Sequence, residues 1–172
     1  YKSMIIRDNA LSLESFNVIK EDIIYNKDLP WYWNDHKVRP DDGTNTLVHL
    51  VYKDMKSLSD FFVKIHTYFS VPLNIIAWYR IKINLTWKER ESKVFGFHRD
   101  YGSLEDPEKF KAMKTAIYYC TDTNGPTVFQ DSDDKIDCVE NRLALFDSHK
   151  FHSGVSHTEG NDRRIVINFN YF

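Results

Sequence analysis

The sequence predicts a mainly β fold, two sheets closed into a sandwich or barrel, with helices packed against the outside. Three observations predict it. Short runs alternate apolar and polar residues with a period of two through the second half of the chain. Turn-forming clusters separate those runs, as sandwiches and barrels require. Helical periodicity is confined to the first 73 residues, and an aromatic share of 15% suits a β-rich interior.

In chain order, Ser12 or Ser15 is placed to cap a helix running to about Tyr25, with Phe16, Ile19 and Ile23 on one face. Pro30 ends it, and Trp31, Tyr32 and Trp33 follow. Pro40, Asp41, Asp42 and Gly43 form a turn signal, after which residues 46–52 read as extended. Leu58, Phe61, Phe62, Ile65 and Phe69 recur at helical spacing, so a second helix is expected over 57–69, closed by Val71 and Pro72. From residue 74 the period becomes two. Tyr79, Ile81, Ile83, Leu85 and Trp87 alternate with Arg80, Lys82, Asn84 and Thr86, the pattern of a half-buried strand. Strands are expected over 114–121, 127–130, 135–139 and 142–146, with Thr123, Asn124, Gly125 and Pro126 as a turn. The last run is the clearest: Ile165, Ile167, Phe169 and Tyr171 alternate with Arg164, Val166, Asn168 and Asn170.

A chain of 172 residues is expected to be one domain, 1–172, with 1–73 as helical and mixed N-terminal support and 74–172 as the β core. The net charge of −2 gives no global reason to bind nucleic acid, and the acidic cluster at 131–134 argues mildly against it. A protein, peptide or small-molecule substrate ranks above a nucleic acid. No apolar run is long enough for a transmembrane helix and the first residues do not form a signal peptide, so a soluble, cytoplasmic protein is expected. Cys120 and Cys138 lack a CxxC spacing and read as two reduced thiols.

The chemistry resides in two segments. On an extended backbone His98 and Asp100 point to the same face while Arg99 points away, which offers one nitrogen and one oxygen to a metal. Tyr101 and Gly102 turn the chain directly afterwards, placing the pair at a rim. A third ligand must come from beyond the intervening strands, and His149, His152 and His157 are the candidates. Position favours His152, which follows the strand-like run ending at Phe146 and is flanked by Phe151 and Gly154. Two imidazoles and one carboxylate on one side of a metal are the ligand set of non-haem ferrous enzymes. Alternation puts Arg164 on the face of Asn168 and Asn170, pointing inward, whereas Arg163 shares the apolar face and escapes to solvent at the strand end. A buried guanidinium is costly unless a carboxylate compensates it.

With these residues in place, the chain resembles the iron(II)- and 2-oxoglutarate-dependent dioxygenases. The likeness is to their prolyl-4-hydroxylase-like branch, and within it to small stand-alone oxygenases of marine phages and bacteria. It spans about residues 76–172 and rests on Phe97-His98-Arg99-Asp100, Ile117-Tyr118-Tyr119, the run from Glu140 to Ser148 leading to His152, and Arg164 to Asn170. The resemblance implies a double-stranded β-helix (a jelly-roll, cupin-like barrel) with His98, Asp100 and His152 as iron ligands. It implies Arg164 on the distal carboxylate of 2-oxoglutarate, Tyr119 hydrogen-bonded to that carboxylate with Tyr118 turned outward, and Asn84 near the co-substrate; Thr86 stands where phage-type proteins often have tyrosine. The implied reaction is hydroxylation of an unactivated C–H bond, for example of a peptidyl proline, coupled to decarboxylation of 2-oxoglutarate to succinate. Fe(II), 2-oxoglutarate and O2 are the implied cofactors, with ascorbate a candidate addition. The carboxylate ligand argues for hydroxylation over halogenation.

Further roles are open in the sequence. Asp147 and Ser148 read either as hydrogen-bond partners at the base of the His152 turn or as plain turn residues. Residues 88–93 are expected to form a mobile loop near the mouth. Trp31, Tyr32, Trp33, Arg39 and Tyr101 either line a substrate groove or, for the aromatics beside Pro30, serve packing. Two other functional readings are a metal-free β-barrel binding module and a cupin-type metalloenzyme that does not use 2-oxoglutarate. The cupin class wants further histidines near the first pair, and none accompanies His98.

Overall fold

A computed structural model describes residues 4–38, 40, 44–100 and 111–172. The expected turn at 40–43, the turn at Tyr101 and Gly102, and the groove candidates Arg39 and Tyr101 fall wholly or mainly outside the described residues. Eleven strands and two α-helices are present among those described. The large antiparallel sheet has the order β1-β9-β6-β11-β5-β3-β2, with β4 paired to β3. Its strands are β1 (Ile5–Arg7), β2 (Tyr32–Asn34), β3 (Thr46–Lys53), β4 (Lys56–Ser57), β5 (Trp78–Trp87), β6 (Lys114–Tyr119), β9 (Arg142–Asp147) and β11 (Arg163–Tyr171). A second sheet, β10-β7-β8, is built from β7 (Thr123–Phe129), β8 (Lys135–Cys138) and β10 (His152–Gly154). Residues before 74 thus supply strands to the large sheet as well as helices.

The first helix matches the expectation at its start. Ser12 caps α1 (Leu13–Ile19), its Oγ accepting from the Ser15 N–H. The helix then widens into a π-helical turn over Lys20–Ile24. The second differs. Helix α2 spans Phe61–Leu73, so Val71 and Pro72 lie inside it, and Asn74 ends it in the left-handed region at φ 52°. Pro72 brings no N–H to that last turn, so one helical hydrogen bond is forgone there. The residues expected to begin that helix instead form β4. Asp54 and Met55, both at positive φ, make a two-residue turn that returns the chain from β3 to β4.

One face of the large sheet carries Ile81, Ile83, Tyr118, Leu143, Ile165, Ile167 and Phe169, all fully buried. They pack with Phe16, Ile19 and Ile23 of the first helical segment and Ile65 and Phe69 of α2. Phe69 meets both Tyr118 and Phe169 with ring centroids under 5 Å apart. The opposite face meets the second sheet, where Ile117, Tyr119, Ala144, Phe146 and Val166 pack with Phe129, Ile136 and Cys138. Alternation on β5 and β11 therefore separates two interiors rather than core from solvent. Ile81, Ile83 and Leu85 are buried as expected, while Tyr79 and Trp87 at the strand ends stay over a third exposed.

The expected turn at 123–126 lies inside β7, where it breaks the pairing with β8 between Thr123 and Thr127. Cys120 and Cys138 are buried free thiols. Among the described residues no helix is long and apolar enough to cross a membrane.

Candidate active site

The cavity lies between the two sheets, and β5 and β11 build its floor. Their register pairs Arg80 with Asn170, Lys82 with Asn168, Asn84 with Val166 and Thr86 with Arg164. Residues of one parity share a face, so these eight side chains form four rows across the floor. Strand β6 extends three rows, adding Thr115 beside Asn170, Ile117 beside Asn168 and Tyr119 beside Val166. The enclosed space measures about 670 Å³ including its open mouth.

At one end of the cavity stand His98, Asp100 and His152. Among the described residues they are the group of three whose ligand atoms could hold a metal, all lying within 4.8 Å of one another. His98 Nε2 is 3.9 Å from Asp100 Oδ1, and His152 Nε2 is 3.7 Å from Asp100 Oδ2. The imidazole Nδ1 atoms are already committed: that of His98 donates to the Gly96 carbonyl at 3.3 Å and that of His152 to the Lys150 carbonyl at 3.0 Å. Both rings thereby present an Nε2 lone pair to the same point. The segment carrying His98 is not a continuous strand. It meets β10 and the residue after it through two isolated bridges, His98 with His152 and Val94 with Val155, and through hydrogen bonds from Phe95 and Gly96 N–H to the Gly154 carbonyl and Ser153 Oγ.

Asp100 is 8% exposed and densely supported. Thr115 Oγ1 donates to Oδ2 at 2.7 Å, Asn170 Nδ2 donates to Oδ2 at 3.0 Å, and Arg80 lies 3.3 Å from Oδ1. Arg80 Nε also donates to Asn170 Oδ1, and Ser148 Oγ sits 2.8 Å from Thr115 Oγ1. Burial alone would raise the Asp100 pKa; the fields of His152, Arg80 and His98 and the Thr115 hydrogen bond outweigh it and pull the group down to about 2. His98 is shifted below its ordinary value by burial and by His152, which favours the neutral ring. An ionised carboxylate beside an imidazole held neutral is the donor chemistry a divalent metal requires. The residues present fit such an ion.

Arg164 lies at the other end of the cavity, 6% exposed. Nε donates to the Gly125 carbonyl at 2.8 Å and Nη2 to Thr127 Oγ1 at 3.2 Å. Tyr119 OH reaches the same Thr127 hydroxyl at 2.8 Å, so Thr127 joins the two. Thr86 Oγ1, in the Arg164 row, is buried with no partner. Among the described residues Arg164 donates to two neutral oxygens, those of Gly125 and Thr127, which leaves its charge available to an anion. Gly125 has no room for a side chain: a Cβ there would meet the Val155 carbonyl at 2.6 Å.

His98, Asp100 and His152 converge; Arg164, Tyr119 and Asn84 face the same cavity or its wall, and Tyr118 is turned to the helix side. His149 is exposed in a turn. His157 is fully buried away from the trio, its Nε2 bonded to the Asn161 carbonyl. Arg163 is partly buried at the end of β11. Ser148 supports Thr115 rather than the His152 turn, while the Asp147 carbonyl accepts from Lys150 N–H within that turn. The 88–93 segment is tied down: Glu89 N–H bonds the His157 carbonyl, Ser156 N–H bonds the Lys93 carbonyl, and Lys88 pairs with Asp162. Trp31 packs against the main core and Trp33 stacks on Trp87, so neither lines the cavity; Tyr32 is exposed. That wall is made by Asn34, Lys37 and Val38. Sequence reasoning missed Arg80, Thr115, Thr127 and Asn170. The first and last carried one available signal, their parity with the cavity face.

No family model matches the sequence, and neither does any curated protein. Solved structures do match. A prolyl hydroxylase from Trichoplax adhaerens, in complex with a hypoxia inducible factor oxygen degradation domain peptide, superposes with a TM-score of 0.63 at 14% identity, covering 98% of this chain and 83% of that one. The viral collagen prolyl hydroxylase of Paramecium Bursaria Chlorella virus-1, in its 2OG complex, gives 0.63 at 16% identity, covering 98% and 95%. An oxidoreductase of the 2OG-Fe(II) oxygenase family from Burkholderia pseudomallei gives 0.66 at 11% identity, covering 98% and 84%. The chain therefore has the jelly-roll, double-stranded β-helix fold of the prolyl hydroxylases and 2OG-Fe(II) oxygenases.

Proposed function

We propose that this protein is an Fe(II)- and 2-oxoglutarate-dependent dioxygenase that hydroxylates an unactivated C–H bond. One observation carries the reading: two imidazole Nε2 atoms and one carboxylate converge within 4.8 Å at one end of a cavity whose other end holds a buried arginine. His98, Asp100 and His152 would hold the iron. When bound, the iron supplies reductive activation of O2, with one oxygen atom entering succinate as 2-oxoglutarate loses CO2 and the other entering the substrate C–H bond.

The chain's own groups do the rest. The hydrogen bonds from Thr115 and Asn170 hold the Asp100 carboxylate in one orientation, in which it would meet a metal. Arg164 binds the distal carboxylate of 2-oxoglutarate, with Thr86 Oγ1 and the Tyr119–Thr127 pair beside it. Ile117 and Val166, in the two rows between the ends, give the cavity its apolar lining. Asn84 faces the middle of the chain between the two carboxylates. The substrate class favoured is a peptidyl residue such as proline, supported by the peptide held in the Trichoplax hydroxylase structure.

The test is anaerobic addition of ferrous iron and 2-oxoglutarate, followed by oxygen. A visible charge-transfer band that forms only with both, and succinate release on aeration, are expected. Metal binding with no response to 2-oxoglutarate would leave the cupin-type reading standing instead. A panel of proline-containing peptides, read by a mass gain of one oxygen, then tests the substrate class.

A further inference from the structure

The cavity floor carries three cations: Arg80 is engaged with Asp100 and Arg164 with Thr127 and Gly125, while nothing in the ligand set or in Arg164 requires the third, Lys82. It lies in the middle of β5, in the row of Asn168 and Ile117. That row is next to the one in which Arg80, Asn170 and Thr115 hold Asp100. Among the described residues the Lys82 side chain makes no hydrogen bond or ion pair, and Asn168 Oδ1 beside it is buried with no partner. A cavity amine and a cavity carbonyl left together without partners form a polar site lacking its ligand. Burial, with repulsion from Arg80, lowers the Lys82 pKa to about 8 against the attraction of Asp100, so the ammonium gains from an added anion.

The row spacing fits a dicarboxylate. Lys82 and Thr86, the row partner of Arg164, are four residues apart on one strand, about 14 Å at roughly 3.4 Å per residue. A five-carbon diacid, with four C–C bonds of about 1.5 Å and a charge-assisted contact of about 2.8 Å at each end, is of that size. We propose that Lys82 receives the 2-oxo-acid end of the co-substrate, with Asn168 Oδ1 orienting its ammonium, while Arg164 holds the other end. This rests on the proposed use of 2-oxoglutarate and adds a positioning residue for its reacting carboxylate. The two cations divide the ligand: Lys82 reads the carboxylate next to the 2-oxo group, and Arg164 reads the distal one.

The experiment measures affinities of Mn2+-loaded protein for 2-oxoglutarate and for 2-oxobutyrate, which keeps the 2-oxo acid but lacks the distal carboxylate. Calorimetry on wild type, Lys82→Met, Lys82→Gln and Arg164→Met gives the pattern, with Mn2+ affinity and Tm as controls. Both Lys82 variants should weaken both ligands by a similar factor, about 10-fold or more, with Mn2+ affinity unchanged. Arg164→Met should weaken 2-oxoglutarate alone. Lys82 variants that fold and bind both ligands like wild type overturn the assignment. So does loss of 2-oxoglutarate affinity with 2-oxobutyrate affinity intact, which would place Lys82 at the distal carboxylate. Wild-type protein that binds Mn2+ but neither ligand overturns the functional reading itself, and this assignment with it.

Discussion

His98 and His152 form a reciprocal backbone pair, each N–H donating to the other's carbonyl at 3.0 Å. Their rings then stand side by side, with centroids 4.7 Å apart. Residues 54 positions apart in sequence are thus locked together by the main chain before any ion binds. Replacing His98, Asp100 or His152 with Ala should leave the β-sheet circular dichroism intact and weaken Mn2+ binding at least about 100-fold by calorimetry. Retained tight binding in all three variants would rule out this trio as the metal site.

Removing the metal from wild type should loosen the segment that carries His98 and Asp100, because isolated bridges and a few hydrogen bonds hold it to β10. Hydrogen exchange at residues 94–100 should speed up on chelation while β11 stays protected. Uniform exchange in both states would contradict this.

Arg164→Met should raise the 2-oxoglutarate requirement by about 100-fold, the scale of losing one member of a buried charge pair. Mn2+ affinity should change by less than about threefold, since Arg164 lies at the opposite end of the cavity. An unchanged 2-oxoglutarate affinity would show that the guanidinium serves only Thr127 and Gly125.

Asn170→Ala removes a donor to Asp100 Oδ2 and the acceptor of Arg80 Nε. Metal affinity should drop by about 10- to 100-fold, the usual effect of losing a group that orients a ligand. Thr115→Val should act in the same direction. A loss of stability with unchanged metal affinity would make both residues purely structural.

Asp100 has a pKa of about 2 in the folded chain against an ordinary value of 3.8. The folded state therefore binds fewer protons between those values. The stability this supplies is complete above about pH 5 and is lost as pH falls toward 2, on the order of 2 kcal/mol. Urea unfolding of metal-free protein over pH 2–6 should show that slope, and Asp100→Asn should flatten it. Equal slopes in the two proteins would contradict the assigned environment.

What the sequence made legible follows from period and chemistry. Strands β5 and β11 announce themselves because alternation persists for nine or more residues, and the same parity aims Arg164 inward. His98 and Asp100 are readable because two positions on an extended backbone share a face. The start of α2 was not readable: Leu58 fits the helical stripe, but the left-handed pair Asp54 and Met55 commits the chain to a hairpin first. Nor were Thr115 and Arg80 as supports of Asp100, for those contacts join strands that only tertiary pairing brings together. Thr127 escaped because the preceding Asn-Gly-Pro reads as a turn, whereas the folded chain absorbs it as an irregularity within β7.

Strand β11 is enclosed on both sides: Arg164 and Asn170 look into the cavity while Ile165, Ile167 and Phe169 look onto the helices. A one-residue slip would exchange these two sets at a stroke, putting the guanidinium among phenylalanines and isoleucine beside Asp100. A misthreaded strand would therefore disrupt the core and the cavity together. Variation in the shape of the cavity is left to Asn34, Lys37 and Val38, which line it without belonging to the buried core.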